Sequence, residues 1–235
     1  MELQKIISLI DYTSLNDSDT LETIASLCKN AQTRLGNVAA VCIYPQFVEQ
    51  AKTLLEKTNI SVATVVNFPS GNEALEQCVP LVHQAIRDGA DEVDVVLPYE
   101  AFLSGKIHFC RNFLEEIRVA CVDKILKVIL ETGALQTREH IAAASNLAIQ
   151  IGADFLKTST GKIAMGATLD AMEVMLHAIQ ASGKQIGCKI SGGIRTVEQA
   201  EQYLALAEKI MGKSWLTPKQ FRIGASQLLT NLLQN

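Results

Sequence analysis

Two hydrophobic textures alternate along the 235 residues. Short runs rich in Val and Ile, closed by Pro, Gly, Asn or Asp, read as parallel strands buried on both faces. They fall near residues 6–11, 38–44, 62–68, 92–97, 125–131, 154–159, 186–191 and 221–225. Between them, longer stretches carry apolar residues at helical spacing. These cover 19–31, 46–57, 73–88, 109–122, 137–151, 168–182 and 197–211, with a short last helix near 226–234. Over 19–31, Leu21, Ile24, Ala25, Leu27 and Cys28 make one stripe, and Glu22, Ser26 and Lys29 fall outside it. Thr137 and Thr168 stand at helix starts without the acidic partner of a full capping box, and Gly89, Gly152 and Gly183 end segments.

Eight strand–helix alternations indicate parallel βαβ units. Their total length suits a single (β/α)8 TIM barrel of about 250 residues with few insertions. A doubly wound open sheet is the rival architecture, but G-x-G-x-x-G does not follow the first strand. No Pro/Ser-rich linker or shift in composition divides the chain, so residues 1–235 are expected to form one α/β domain.

Composition narrows the function classes. Apolar residues make up 48% and charged residues 20%, an ordinary globular balance that argues against disorder. Lys plus Arg number 21 against 25 Asp plus Glu, a net charge of −4 that offers no overall attraction to nucleic acid or an anionic membrane. The six cysteines stand singly, without C-x-x-C, and several lie in apolar runs, which speaks for a reducing compartment rather than a disulfide framework. The four histidines have no H-E-x-x-H or other tight ligand spacing, so a zinc site has little support. The opening segment carries an early Glu and is interrupted by Asp11, a poor signal peptide, and no run approaches the roughly 18 apolar residues of a membrane span. A cytoplasmic protein is expected.

Polar residues that interrupt or end the apolar strands carry the chemical information: Asp11, Cys42, Asn67, Asp94, Lys127, Lys157 and Lys189. In a closed barrel, alternate strand residues enter the lumen and the strand C-termini face one site. An isolated strand lysine is ordinarily exposed, yet helix-covered parallel strands leave little surface for it, and a buried unpaired ammonium is costly. Lysines on three successive strands, beside Asp94 on the preceding one, form either a structural ion-pair network or a reactive centre. Desolvation and a neighbouring cation both lower an amine's pKa, the condition for Schiff-base formation with a carbonyl. Spacing alone leaves open which lysine is the nucleophile. Asp94 and the second lysine are candidates for proton transfer.

Gly192 and Gly193 follow the seventh strand, with Arg195 two residues on, and Gly224-Ala225-Ser226 follows the eighth. Loops after strands seven and eight are the usual phosphate site of this barrel. Ser159-Thr160-Gly161-Lys162 is no P-loop, because Leu156 replaces the first Gly and Ile163 the Ser/Thr.

Eight segments in order along nearly the whole chain resemble the deoxyribose-phosphate aldolases. They are Leu9-Ile10-Asp11-Tyr12-Thr13-Ser14-Leu15, Val41-Cys42-Ile43-Tyr44-Pro45, Val66-Asn67-Phe68-Pro69 and Asp91-Glu92-Val93-Asp94-Val95-Val96, followed by Lys127-Val128-Ile129-Leu130-Glu131-Thr132-Gly133. Phe155 to Gly161, Lys189 to Thr196 and Phe221 to Ser226 complete the set. The resemblance implies a class I aldolase that reversibly cleaves 2-deoxy-D-ribose 5-phosphate to D-glyceraldehyde 3-phosphate and acetaldehyde, in deoxyribonucleoside and carbohydrate catabolism. It implies Lys157 as the Schiff-base lysine, Lys189 as its pKa-lowering and proton-transferring neighbour, and Asp94 as proton donor and acceptor through water. Asp11, Thr13, Cys42, Lys127 and Thr160 would line the pocket, and Lys162, Gly192, Gly193, Arg195 and Ser226 would surround the phosphate. It implies no metal, because the iminium supplies the electron withdrawal, and no cofactor beyond the covalent Schiff base; a homo-oligomer is compatible with it. Gln227 departs from the family pattern where many relatives have a second Ser. The chain stops at Asn235, where some relatives extend to a terminal Tyr, so tail-assisted proton transfer is not expected. Two other readings remain: a Schiff-base aldolase for another phosphorylated sugar, and a non-catalytic phosphosugar-binding barrel.

Overall fold

A computed structural model describes residues 3–234; Met1, Glu2 and Asn235, which the expected domain includes, lie outside the described residues. The strands are β1 (Ile10–Thr13), β2 (Ala40–Ile43), β3 (Ser61–Val66), β4 (Glu92–Val96), β5 (Ile125–Ile129), β6 (Phe155–Lys157), β7 (Gly187–Ser191) and β8 (Phe221–Ala225). All neighbours are parallel, and β1 pairs with both β2 and β8, which closes the barrel. A (β/α)8 barrel results, with helices packed outside.

The period of two explains the layers. Val93 and Val95 join the apolar shell under the helices, while Val96 belongs to a separate cluster with Ala40, Cys42, Ala63, Val65 and Ile129. That second cluster fills the lumen beside β2 and β3. Glu92 and Asp94, two residues apart, share their lumen face with Lys127, Lys157, Lys189, Arg222 and Asp11, so one side of the lumen is apolar and the other ionic. Glycines make room for the large members: a Cβ on Gly187 would lie 2.3 Å from the Phe155 ring, and one on Gly224 would lie 3.1 Å from Lys189 Cε.

The helices start and stop much as their sequences suggest. Thr137 and Thr168 accept from the backbone N–H of His140 and Ala171, at 3.2 and 3.1 Å. Gly183 ends the helix Leu169–Ser182 in the left-handed conformation. The N-terminal strand differs from expectation. Residues Leu3–Ile7 form a short helix that buries Ile6 and Ile7, and β1 begins only at Ile10. Leu3, Ile6 and Ile7 fall at helical spacing, and so short an apolar run reads equally as helix or strand. Short helices Tyr99–Leu103 and Thr132–Leu135 follow β4 and β5, and a small antiparallel hairpin pairs Gln32–Thr33 with Gly36–Asn37.

Candidate active site

A cavity of about 420 Å³ opens at the C-terminal ends of the strands. Its walls come from the segments after β1, β6, β7 and β8, and Lys157 lies in its lining. Thr13, Thr160, Lys162, Gly192, Gly193, Arg195 and Ser226 also line it, together with Gln227. Asp11, Cys42, Asp94, Lys127 and Lys189 do not reach this surface; each is 0% exposed, beneath the floor. The residues singled out from sequence thus divide into a cavity wall and a buried ionic layer with Cys42 beside it, while Asn67, also buried, lies in neither and donates to the Val96 carbonyl at 2.8 Å.

Register builds that layer. Asp94 is opposite Lys127, and Lys157 is opposite Lys189, on adjacent strands. Asp94 Oδ2 accepts hydrogen bonds from Lys157 and Lys189, both at 2.8 Å, and Oδ1 accepts from Lys127 at 2.7 Å. Lys189 also pairs with Asp11 at 2.6 Å. Two further residues that sequence reasoning passed over complete the network. Arg222 bridges Asp11 at 2.6 Å and Glu92 at 2.9 Å, and Glu92 also holds Lys127. Their signal was available: Glu92 is two positions from Asp94 on the same strand face, and Arg222 is the single charge in an apolar strand. The guanidinium also stands 5.7 Å from the centre of the Phe155 ring.

The three lysines differ in environment. Lys157, 2% exposed at the cavity floor, is pushed below its ordinary pKa by burial; Asp94 opposes this and the Lys189 ammonium reinforces it. Lys189 and Lys127 are also buried, but Asp11 and Asp94 around the first, and Asp94 and Glu92 around the second, more than offset burial and hold both above the usual value. Burial would raise the Asp94 carboxyl, but the three ammonium groups keep it well below its ordinary pKa. An amine held below its ordinary pKa, an ammonium held above its own and a carboxylate held below its own therefore meet at one point. Burial raises the Cys42 thiol, so it stays protonated near this cluster.

The cavity wall is held by loop contacts. Glu131, in the left-handed conformation at φ 56°, closes β5 and is fully buried. Its carboxylate accepts the Thr160 hydroxyl at 2.5 Å, and the Thr160 N–H approaches it at 3.3 Å. Lys162 Nζ donates to the Leu15 carbonyl at 2.5 Å, which ties the loop after β6 to the one after β1. Gly192 has φ 87°, and a Cβ there would lie 2.9 Å from Gly166 Cα, so the bare backbone is what lets these loops meet. At the cavity mouth, Lys162, Gly193, Arg195 and Ser226 are exposed and can receive an anion. Among the described residues, no group of three or more His, Cys, Asp or Glu is arranged to hold a metal ion.

The chain matches the family model of the DeoC/LacD aldolases over residues 5–230. A deoxyribose-phosphate aldolase of Agrobacterium fabrum (strain C58) is 48% identical over 242 aligned residues, covering 99% of this chain and 93% of that one. Among solved structures, a candidate deoxyribose-phosphate aldolase of Coccidioides immitis superposes with a TM-score of 0.88 at 31% identity, covering 100% of this chain and 87% of the other. The tetrameric deoxyribose phosphate aldolase of Aeropyrum pernix gives 0.81 at 25% identity, covering 99% and 91%.

Proposed function

The chain belongs to the DeoC/LacD aldolase family, and from that premise we propose that it is a class I aldolase cleaving 2-deoxy-D-ribose 5-phosphate to D-glyceraldehyde 3-phosphate and acetaldehyde. The observation that carries the mechanism is the contrast among the lysines. Lys157 alone of the three both reaches the cavity and is held below its ordinary pKa.

The neutral Lys157 amine attacks C1 of the open-chain aldehyde, and loss of water from the carbinolamine leaves a protonated imine. A base removes the C3 hydroxyl proton, the C2–C3 bond breaks, and its electron pair moves into the iminium to give an enamine. D-Glyceraldehyde 3-phosphate leaves. Protonation of the enamine carbon and hydrolysis release acetaldehyde and restore Lys157. Asp94, kept as a carboxylate, and Lys189, kept as an ammonium, are the proton-transfer pair for these steps. Asp11 and Lys127 hold that pair in position from below, and Cys42 packs beside it. Thr13 and Thr160 face the sugar. Lys162, the Gly192 and Gly193 backbone, Arg195 and Ser226 bind the phosphate at the mouth.

The reaction needs no cofactor beyond this covalent lysine adduct. A role in deoxyribonucleoside and carbohydrate breakdown, a cytoplasmic location and a single catalytic domain belong to the same proposal, and the tetrameric archaeal relative supports a homo-oligomer. No helix among the described residues is long and apolar enough to cross a membrane.

The substrate assignment is tested by comparing cleavage of deoxyribose 5-phosphate with that of ketose phosphates, following the released aldehyde phosphate. Preferential cleavage of the deoxy sugar is expected. Preferential ketose cleavage would assign a different aldolase, and binding without turnover would assign a non-catalytic barrel.

A further inference from the structure

Resting on that aldolase reading, we propose that a closed ring of six alternating charges, completed by Glu92 and Arg222, sets the protonation state of Lys157, with those two acting as positioning residues that never touch substrate. The ring runs from Arg222 to Asp11 (2.6 Å), Lys189 (2.6 Å), Asp94 (2.8 Å) and Lys127 (2.7 Å), then through Glu92 and back to Arg222 (2.9 Å). Cations and carboxylates alternate at every step. Three of each make the ring neutral when all are ionised, and every member side chain is at most 5% exposed.

Lys157 attaches to this ring from outside, through Asp94 alone among the ring's carboxylates. Each ring cation has at least two carboxylate partners (Lys127 also stands 3.7 Å from Asp11, across the ring), whereas Lys157 has one, and it shares that one with two competitors. Protonated, Lys157 leaves the buried cluster with one surplus positive charge (four cations against three carboxylates). In a poorly solvated lumen that surplus is disfavoured, so the seventh group gives up its proton before any ring member does. The other titratable groups near Lys157 are the Cys42 thiol and the Glu131 carboxyl, which burial holds toward the protonated form. Arg222 suits the base of the ring because a guanidinium cannot be discharged there, and its two nitrogens bridge two strands.

The test exploits sign. Glu92 and Arg222 lie outside the cavity wall, so their neutral variants change charge without removing a group that meets substrate. The rate of reductive alkylation of Lys157 by acetaldehyde and cyanoborohydride is followed from pH 5 to 9 by intact mass and peptide mapping. Arg222→Met leaves the ring net negative and should move the acid limb upward by about one pH unit, roughly tenfold slower at a fixed pH on that limb. Glu92→Gln leaves it net positive and should move the limb down by a similar amount. The double variant restores neutrality and should return toward the wild-type limb. Three limbs coincident with wild type would reduce the ring to a structural role and overturn the proposal.

Should a single variant fail to fold, wild-type protein labelled with 15N at lysine Nζ decides the question. Lys157 should titrate while Lys127 and Lys189 remain ammonium; release from either of these first would overturn the proposal. An adduct that never forms, or forms on another lysine, would instead defeat the aldolase reading, and the nitrogen titration would still judge the ring.

Discussion

Lys157 and Lys189 are register partners on adjacent parallel strands, and their Nζ atoms meet the same oxygen, Asp94 Oδ2, each at 2.8 Å. The two amino groups are thereby held together, and the difference between them comes from what else each one touches. Lys189 has Asp11 as a second carboxylate, whereas Lys157 has the cavity.

Replacing Lys189 should therefore act on Lys157. Lys189→Leu removes a neighbouring cation and frees Asp94 and Asp11 from one counter-charge, and both changes favour protonated Lys157. The acid limb of kcat/KM should move to higher pH, with activity on that limb falling about tenfold per unit moved, in addition to any loss from proton transfer. A pH–rate profile of the variant checks this; an unmoved limb would contradict the like-charge argument.

Phosphate recognition separates from chemistry. Lys162→Met and Arg195→Met each remove an exposed cation from the mouth and leave the ionic layer intact. Each should raise KM for deoxyribose 5-phosphate about tenfold, the loss of one charge-assisted contact, with kcat little changed. Turnover of unphosphorylated 2-deoxyribose should not change. Parallel steady-state kinetics on both sugars read the difference.

Thr160 is both a cavity residue and the partner of a buried acid. Thr160→Val leaves the Glu131 carboxyl with only the backbone N–H, and unfolding in urea should show a loss of about 1–3 kcal/mol.

The carboxylates of the ionic layer predict the acid response. Burial opposes ionisation of Asp11, but Lys189, Arg222 and Lys127 hold its folded pKa below the ordinary 3.8. Between the two values the unfolded chain binds more protons, so this contribution to stability rises with pH through the window. It is fully present above the unfolded value and is lost as pH falls through the folded one. The stability advantage of wild type over Asp11→Asn should be constant from pH 5 to 7 and shrink from pH 4 to 2, measured by denaturant titration.

Much of this arrangement was legible in the chain. Charges that break Val/Ile runs must be paired if the runs are buried, and that constraint singled out Asp11, Asp94, Lys127, Lys157 and Lys189. Periodicity could not rank the lysines, because rank depends on depth along the barrel axis and on how many carboxylates each meets. Glu92 and Arg222 each stand out as a charge in a buried strand, but their pairing with each other emerges only when closure of the barrel brings the two strands face to face. Glu131 read as the last residue of a strand, since its left-handed backbone and its bond to Thr160 depend on a loop 29 residues away. The helix at Leu3–Ile7 was hidden by the brevity of its apolar run.

The most direct test of the account is reductive trapping. Borohydride added during turnover of deoxyribose 5-phosphate should leave one reduced adduct, mapped to the peptide carrying Lys157, and Lys157→Ala should abolish both adduct and cleavage. An adduct on Lys127 or Lys189, or normal turnover by Lys157→Ala, would contradict it.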